Sequence, residues 1–90
     1  MSGTDEIREI LLVTAKDCAR QGPGFAQEPV VLRQAATRLK IRDLGEQQRL
    51  LNVWHELFRA GTLYWGYDID NPGQPFFHFP EGEVVGAGAR

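Results

Sequence analysis

Residues 43–79 read DLGEQQRLLNVWHELFRAGTLYWGYDIDNPGQPFFHF, and this stretch decides the fold. It begins with Asp43 and, three residues on, Glu46, a pair typical of a helix N-terminus because both side chains can accept a bond from an otherwise unpaired backbone N–H. Apolar residues then recur at helical spacing as far as Gly61, which suits the C-terminal end of a helix. The side chains expected to be buried on this helix are Leu50, Val53, Trp54, Leu57 and Phe58.

The part of the stretch after Gly61 predicts a β-hairpin. Residues 62–68 and 74–79 have the aromatic content of strands. Between them, residues 69–73 are predicted to form a turn, in which Pro72 fixes φ at the first central position and Gly73 supplies the positive φ of the second. Two strands joined by such a turn form a hairpin.

Two further helices are predicted before this stretch. The first begins at Thr4, whose hydroxyl suits an N-cap, and ends at the Gln-Gly-Pro-Gly of residues 21–24. After a short extended piece around 25–27, Pro29 suits the first turn of a second helix that runs to Leu39. The core residues expected over the three helices are Ile10, Leu11, Leu39, Leu50, Trp54, Leu57 and Phe58. The order helix, short strand, helix, helix, hairpin predicts an α+β domain.

Apolar residues at five positions are candidates for binding another protein. Two short strands cannot bury aromatic rings on both faces against three helices, so we expect some of Tyr64, Phe76 and Phe77 to stay partly exposed. Such rings are enriched in interfaces, although packing on the core and on one another is the alternative. Leu12 and Val13 lie off the apolar stripe of the first helix and indicate either a wide core face or a dimer surface.

Length and composition predict one ordinary globular domain. The 90 residues are 42% hydrophobic and 24% charged, and no apolar run approaches the roughly 18 residues needed to span a bilayer. We expect a domain over 1–82 followed by a flexible Gly- and Ala-rich tail over 83–90. The single Cys18 excludes an internal disulfide and favours a reducing compartment, and the N-terminus lacks the pattern of a signal peptide. The expected location is the cytoplasm.

Charge is unevenly distributed along the chain. The net charge of −2 by itself argues against strong binding of nucleic acid. Residues 33–60, however, hold six Lys and Arg against three Asp and Glu, a local charge of +3. Residues 61–82 hold three acids and neither Lys nor Arg, a local charge of −3. The centre of the chain is therefore its basic part, and the hairpin is acidic.

The chain resembles the bacterial winged helix-turn-helix family over about residues 4–80. The specific part lies within 50–80, where a helix ending Glu-Leu-Phe-Arg-Ala-Gly is followed by Leu-Tyr-Trp-Gly and then by Asp-Asn-Pro-Gly-Gln-Pro-Phe-Phe-His-Phe. The resemblance implies a three-helix bundle with a short strand and a C-terminal two-stranded hairpin wing. It also implies a recognition helix at 43–60, which enters the major groove in DNA-binding members, and a wing at 62–80 that contacts phosphate or the minor groove. The acidic residues of this wing depart from the usual Lys or Arg, and some winged helices act purely as protein adaptors.

Two sets of side chains are candidates for contacting DNA. The outer face of the third helix is polar, and Asn and Gln can bond adenine as Arg can bond guanine. The base-contacting set is Gln48, Asn52, His55 and Arg59. Cations before, within and beside the predicted helix-turn-helix would contact phosphate. The phosphate-contacting set is Arg33, Arg38, Lys40, Arg42 and Arg49. The alternative for both sets is an ordinary solvated surface.

The sequence predicts no catalytic, metal or cofactor site. His55, His78 and Cys18 do not make up four zinc ligands at plausible spacing. The Gly-rich segments 22–24 and 86–88 lack the strand-to-helix context and the Lys of a phosphate loop. We therefore expect a binding module, and not an enzyme, that uses no cofactor. Duplex DNA is the first expected partner, another protein the second, and a homodimer is compatible with both.

Overall fold

Three helices and one two-stranded antiparallel sheet make up the fold in the computed structural model, which describes residues 3–73 and 75–80. The helices are α1 (Thr4–Gln21), α2 (Glu28–Leu39) and α3 (Leu44–Arg59), and the strands are β1 (Tyr64–Trp65) and β2 (Phe77–His78). The predicted α+β class is confirmed. α1 packs against both α2 and α3. The expected tail over 83–90 lies outside the described residues. Within them, no helix is long and apolar enough to cross a membrane.

The two predicted N-caps have different outcomes. Oδ1 of Asp43 accepts a bond from the backbone N–H of Glu46 at 2.7 Å, so the cap predicted for α3 is confirmed. The cap predicted at Thr4 is wrong, because α1 begins one residue earlier in the chain and Gly3 is its N-cap. The Thr4 hydroxyl instead lies within 3.4 Å of the Arg49 guanidinium of α3. The Thr4 hydroxyl thus contacts α3 and does not cap α1.

The helices α2 and α3 end with the same backbone geometry. After α3, the N–H groups of Gly61 and Thr62 donate to the carbonyls of Phe58 and Leu57, and Gly61 has a φ of +80°. This is a Schellman motif, in which glycine avoids the steric cost of left-handed backbone. Lys40 takes the equivalent position after α2 with a φ of +57°, which costs a residue with a side chain about 1–2 kcal/mol. The turn between α2 and α3 therefore places a strained lysine at its start.

The segment between α1 and α2 differs from the extended piece predicted around 25–27. Residues Pro23–Phe25 form one turn of 3-10 helix, because Pro23 fixes φ and the N–H of Ala26 donates back to the Pro23 carbonyl. Extended pairing is limited to one isolated bridge between Gln27 and Phe76. The N–H of Phe77 also donates to the Ala26 carbonyl at 3.1 Å. These bonds attach the hairpin to the start of α2.

The hairpin is present, but its strands are shorter than predicted and its turn is shifted toward the N-terminus from the predicted residues 69–73. Tyr64 pairs with His78, and Trp65 pairs with Phe77. The tight turn covers residues 68–71 and not Pro72-Gly73, and Gly73 does not have the positive φ that was predicted for it. The carboxylate of Asp68 makes this turn, because its Oδ1 accepts two backbone N–H bonds.

The positive φ within the hairpin belongs to Gly66, at +88°. A Cβ at this position would lie 2.6 Å from the backbone of Pro72, so a side chain does not fit. Its N–H donates to the Phe76 carbonyl at 2.7 Å. Glycine is therefore required where the outer part of the hairpin folds back over β1.

The core is built around Trp54 of α3, which is fully buried. Its ring makes edge-to-face contacts with Phe58 at 5.0 Å and Phe77 at 5.5 Å between centroids. Its indole N–H donates to Oε2 of Glu28, the first residue of α2, at 2.9 Å. Phe58 in turn stacks on Trp65 of β1 at 3.8 Å. Trp54 thus joins α3 to the start of α2 and to β2, and Phe58 extends the cluster to β1.

The predicted core is confirmed at four positions and only partly at three. The residues that were predicted to be core and are buried are Leu11, Leu50, Trp54 and Leu57. Ile10, Leu39 and Phe58 are half-buried and pack against this core from its edge. Phe77 was one of three candidates for an exposed patch, and it is fully buried. The register explains this difference, because Phe77 pairs with Trp65 and so shares the face that contacts α3.

We expect Trp54→Ala to lower the free energy of unfolding by about 3–5 kcal/mol, because it leaves a large cavity and an unpaired Glu28 carboxylate. Urea denaturation followed by circular dichroism measures the change. Trp65→Ala is the matched control, since Trp65 is half-buried at the edge of the same cluster and its loss should cost less. A smaller effect for Trp54→Ala than for Trp65→Ala would contradict this description of the core.

Candidate nucleic-acid interface

The polar face of α3 is formed as the sequence predicts. Gln48, Asn52, His55 and Arg59 are all exposed, on the side of the helix opposite its buried residues. The side-chain amide nitrogen of Gln48 donates to Oδ1 of Asn52 at 2.9 Å, so these two amides are held side by side. The side-chain oxygen of Gln48 and the amide nitrogen of Asn52 take no part in this bond. The pair presents one acceptor and one donor next to each other.

The two halves of this face differ in charge. Nε2 of His55 lies 3.9 Å from Oε2 of Glu28, and Nη1 of Arg59 lies 3.3 Å from Oε2 of Glu56. The C-terminal half of the face therefore has carboxylates beside its cationic or basic groups. The half that contains Gln48 and Asn52 is uncharged at its centre. A polyanion would approach the N-terminal half more easily.

Three of the predicted phosphate-contacting cations lie together. Arg33, Lys40 and Arg42 are exposed and line one shallow depression between α2 and the turn that follows it. Arg33 also lines the groove between α2 and α3, in which Gln48 lies on the opposite wall. The cations are therefore continuous with the polar face of α3. Among the residues described, none of these three forms a salt bridge with an acid.

The structure places Arg38 and Arg49 away from this group, and each already bonds another helix of the same molecule. Nη1 of Arg38 donates to the buried hydroxyl of Thr14 at 3.0 Å, and Nη2 donates to Asp17 at 2.9 Å. Arg38 lies about 140° around α2 from Arg33, which turns it toward α1. Arg49 is half-buried and is directed at the start of α1. Both arginines join helices of the same molecule.

The candidate protein-binding residues are scattered over the surface and the core. Tyr64 is 49% exposed and Val13 is 46% exposed, on β1 and α1 respectively. Phe76 is half-buried because its ring packs against Tyr67 at 4.4 Å. Leu12 is half-buried against the core, as a wide core face predicts. Phe77 is inside the core and takes no part in any surface.

Sequence reasoning missed the two large apolar side chains that are most exposed in the described part of the chain, Ile69 at 92% and Leu44 at 81%. Ile69 lies at the tip of the hairpin, between two aspartates of the turn. Leu44 is the first residue of α3 and lies at the mouth of the groove between α2 and α3. The signal for Ile69 was an apolar residue between Asp68 and Asp70 in a predicted turn. Leu44 directly follows the N-cap Asp43, and it therefore precedes the buried residues of α3, which begin at Leu50.

The side chains of His78 and Cys18, which have catalytic potential, are both held in the fold by contacts with other parts of the chain. Nδ1 of His78 bonds the carbonyl oxygen of Gly66 across the hairpin. Cys18 is buried in the core, and burial raises the pKa of its thiol, which disfavours the reactive thiolate. In residues 3–73 and 75–80, no group of three or more His, Cys, Asp or Glu side chains lies close enough to hold a metal ion.

Comparisons with protein-family models, with curated proteins and with solved structures find no match to this chain. The resemblance to winged helix-turn-helix domains therefore depends on the residues quoted above and on the order of the elements. The chemistry of the exposed surface is what remains to indicate function.

We expect Arg38→Ala to lower the free energy of unfolding by about 1–2 kcal/mol, because it leaves the buried Thr14 hydroxyl without its partner. Adding Thr14→Val should cost less in this background than in the wild type, since the hydroxyl then has no bond to lose. Urea denaturation of the four proteins of this cycle gives the coupling. Strictly additive effects would contradict a role for Arg38 in joining α1 to α2.

Proposed function

We propose that this domain is a winged helix that binds duplex DNA with sequence selectivity, with the N-terminal half of α3 in the major groove. The observation that carries the proposal is the continuity of two surfaces. The exposed amide of Gln48, which bonds the Asn52 amide, borders the groove whose other wall holds Arg33, and Arg33 lies in one depression with Lys40 and Arg42. A base-reading surface beside cations that neutralise phosphate is the arrangement that recognition of a duplex needs.

The paired amides suit an adenine. In the major groove, adenine presents an acceptor at N7 and a donor at its exocyclic amino group. The free amide N–H of Asn52 suits N7, and the free carbonyl lone pair of Gln48 suits the amino group. Their mutual hydrogen bond holds both amides in place before DNA arrives, which lowers the entropic cost of binding.

The number of available cations limits the strength of binding. Arg38 and Arg49 contact α1, and Arg59 has Glu56 beside it. Arg33, Lys40 and Arg42 remain, which supports about three phosphate contacts per domain. The hairpin adds none, because residues 61–80 contain neither Lys nor Arg. This distribution of Lys and Arg favours DNA binding through α3 and the turn before it, and not through the wing.

A second candidate function is that of a protein adaptor. The exposed Tyr64 on β1 and the acidic hairpin favour it, since an exposed aromatic side chain is a common anchor in protein interfaces. The two candidates differ in a direct observable. An adaptor of this charge has no measurable affinity for a random duplex, whereas a DNA-binding domain binds one at low salt.

We expect the logarithm of the DNA-binding constant to fall against the logarithm of salt concentration with a slope near −3, since each of about three phosphate contacts contributes about −0.9. Fluorescence anisotropy titrations with a labelled random duplex measure this slope. The proposal fails if no binding is seen at about 100 μM protein in low salt, where even non-specific binders show it.

Lys40→Gly separates binding from folding. We expect it to raise the free energy of unfolding by about 0.5–1 kcal/mol, because glycine removes the cost of left-handed backbone but has more freedom when unfolded. The same variant should weaken binding to all sequences alike and reduce the salt slope by about one. Arg20→Ala is the control, because it removes one exposed positive charge from the last turn of α1. An equal loss of affinity in both variants would show that only net charge matters.

We expect Asn52→Ala to relax base preference by about 1–3 kcal/mol at one position and to leave the salt slope unchanged. The measurement compares titrations on a selected duplex and on duplexes with single base-pair changes. His55→Ala is the matched control on the same face, and it should matter less because Glu28 lies beside it. An equal loss of affinity for all duplexes in Asn52→Ala would show that Asn52 contacts the DNA backbone and not a base.

A further inference from the structure

The tip of the hairpin presents an apolar side chain from a hydrogen-bonded turn. Ile69 is 92% exposed, more than any other large apolar residue of the described part of the chain. Its turn is closed by Oδ1 of Asp68, which accepts the N–H groups of Asp70 at 2.9 Å and Asn71 at 2.8 Å. A further bond joins the Tyr67 N–H to the Asn71 carbonyl at 3.1 Å. A partner would therefore meet a preorganised tip and would not have to order it.

The surroundings of Ile69 define the chemistry of its partner. Asp68 and Asp70 flank it, and no Lys or Arg occurs in residues 61–80. Burying the isoleucine is favourable only in an apolar site, and the two carboxylates require cations at the rim of that site. The matching surface is an apolar pocket with a basic edge.

The groove between α2 and α3 of the same chain has this chemistry. It has a volume of about 380 Å³. Its apolar lining residues are Leu32, Ala36, Leu44, Leu50 and Leu51. Arg33 lies on its rim and leads into the adjacent depression, where Lys40 and Arg42 lie. The groove and the depression together place three cations beside an apolar floor.

We propose that the hairpin tip of one copy of this domain docks into the groove between α2 and α3 of a second copy. Ile69 enters the apolar floor beside Leu44, and the carboxylates of Asp68 and Asp70 face the cations at the rim. The contact joins two different surfaces, so a pair held by one contact keeps one free tip and one free groove, and further copies add head to tail. The contact area is small, so the association is weak. This docking involves no nucleic acid and does not depend on the proposed function.

Two variants, each of which blocks only one of the two docking surfaces, test this inference. Ile69→Asp blocks the tip and leaves the groove intact, whereas the double variant Arg33→Glu/Leu44→Glu blocks the groove and leaves the tip intact. All three positions are exposed, so both proteins should fold, and circular dichroism checks this. Sedimentation velocity is run at concentrations up to about 1 mM, because contacts of this size bind weakly.

We expect the mass of the wild type to rise with concentration while each variant alone stays a monomer. The equimolar mixture of the two variants should form a one-to-one dimer and nothing larger, because only one intact tip and one intact groove meet. Tyr64→Ser and Val13→Ser are the controls, since they remove exposed apolar groups elsewhere and should associate like the wild type. A wild type that stays monomeric, a mixture that stays monomeric, or loss of association in either control would overturn the inference.

Discussion

Burial of Trp54 is the constraint on which the other features of this domain depend. The ring packs on Phe77 of the hairpin and its N–H bonds Glu28 at the start of α2, so it sets the rotation of α3 about its own axis. At about 100° per residue, Gln48 and Asn52 are then directed to the opposite side of the helix. The exposed amide pair is therefore a consequence of how the core is filled. The same contact holds the hairpin against α3, because Phe77 cannot leave the core without exposing Trp54.

The arginines divide into those that hold the fold together and those that are open to a partner. Arg38 bonds Thr14 and Asp17 of α1, whereas Arg33 has no such acid beside it in the described residues. Surface position alone does not separate these roles, since both arginines are exposed to solvent. What separates them is which face of α2 lies against α1. The cations around Arg33 border both the amide face of α3 and the apolar groove, so the proposed DNA contact and the proposed self-docking use the same surface.

The hairpin shows where local sequence signals stop being sufficient. Aromatic content and turn residues predicted two strands, and two strands are present. The pairing register was not predictable, because Phe76 and Phe77 are both apolar and a slip of one residue exchanges the face to which each belongs. Pro72 and Gly73 suggested the turn, but the Asp68 carboxylate bonds two N–H groups and closes the turn earlier. Pro72 then packs against Gly66, a contact that only the folded hairpin creates.

The sequence by itself determined the order of the three helices and the hairpin, the helix ends marked by Asp43 and Gly61, and the inward face of α3. These are local properties, set by periodicity and by capping chemistry within a few residues. Only the tertiary structure decided that Arg38 joins two helices, that Phe77 is core, and that Ile69 and an apolar groove are both exposed. Each of these depends on which surfaces of distant segments meet. Helical spacing specifies which residues share a face, but the packing of whole helices and of the hairpin decides which faces are covered.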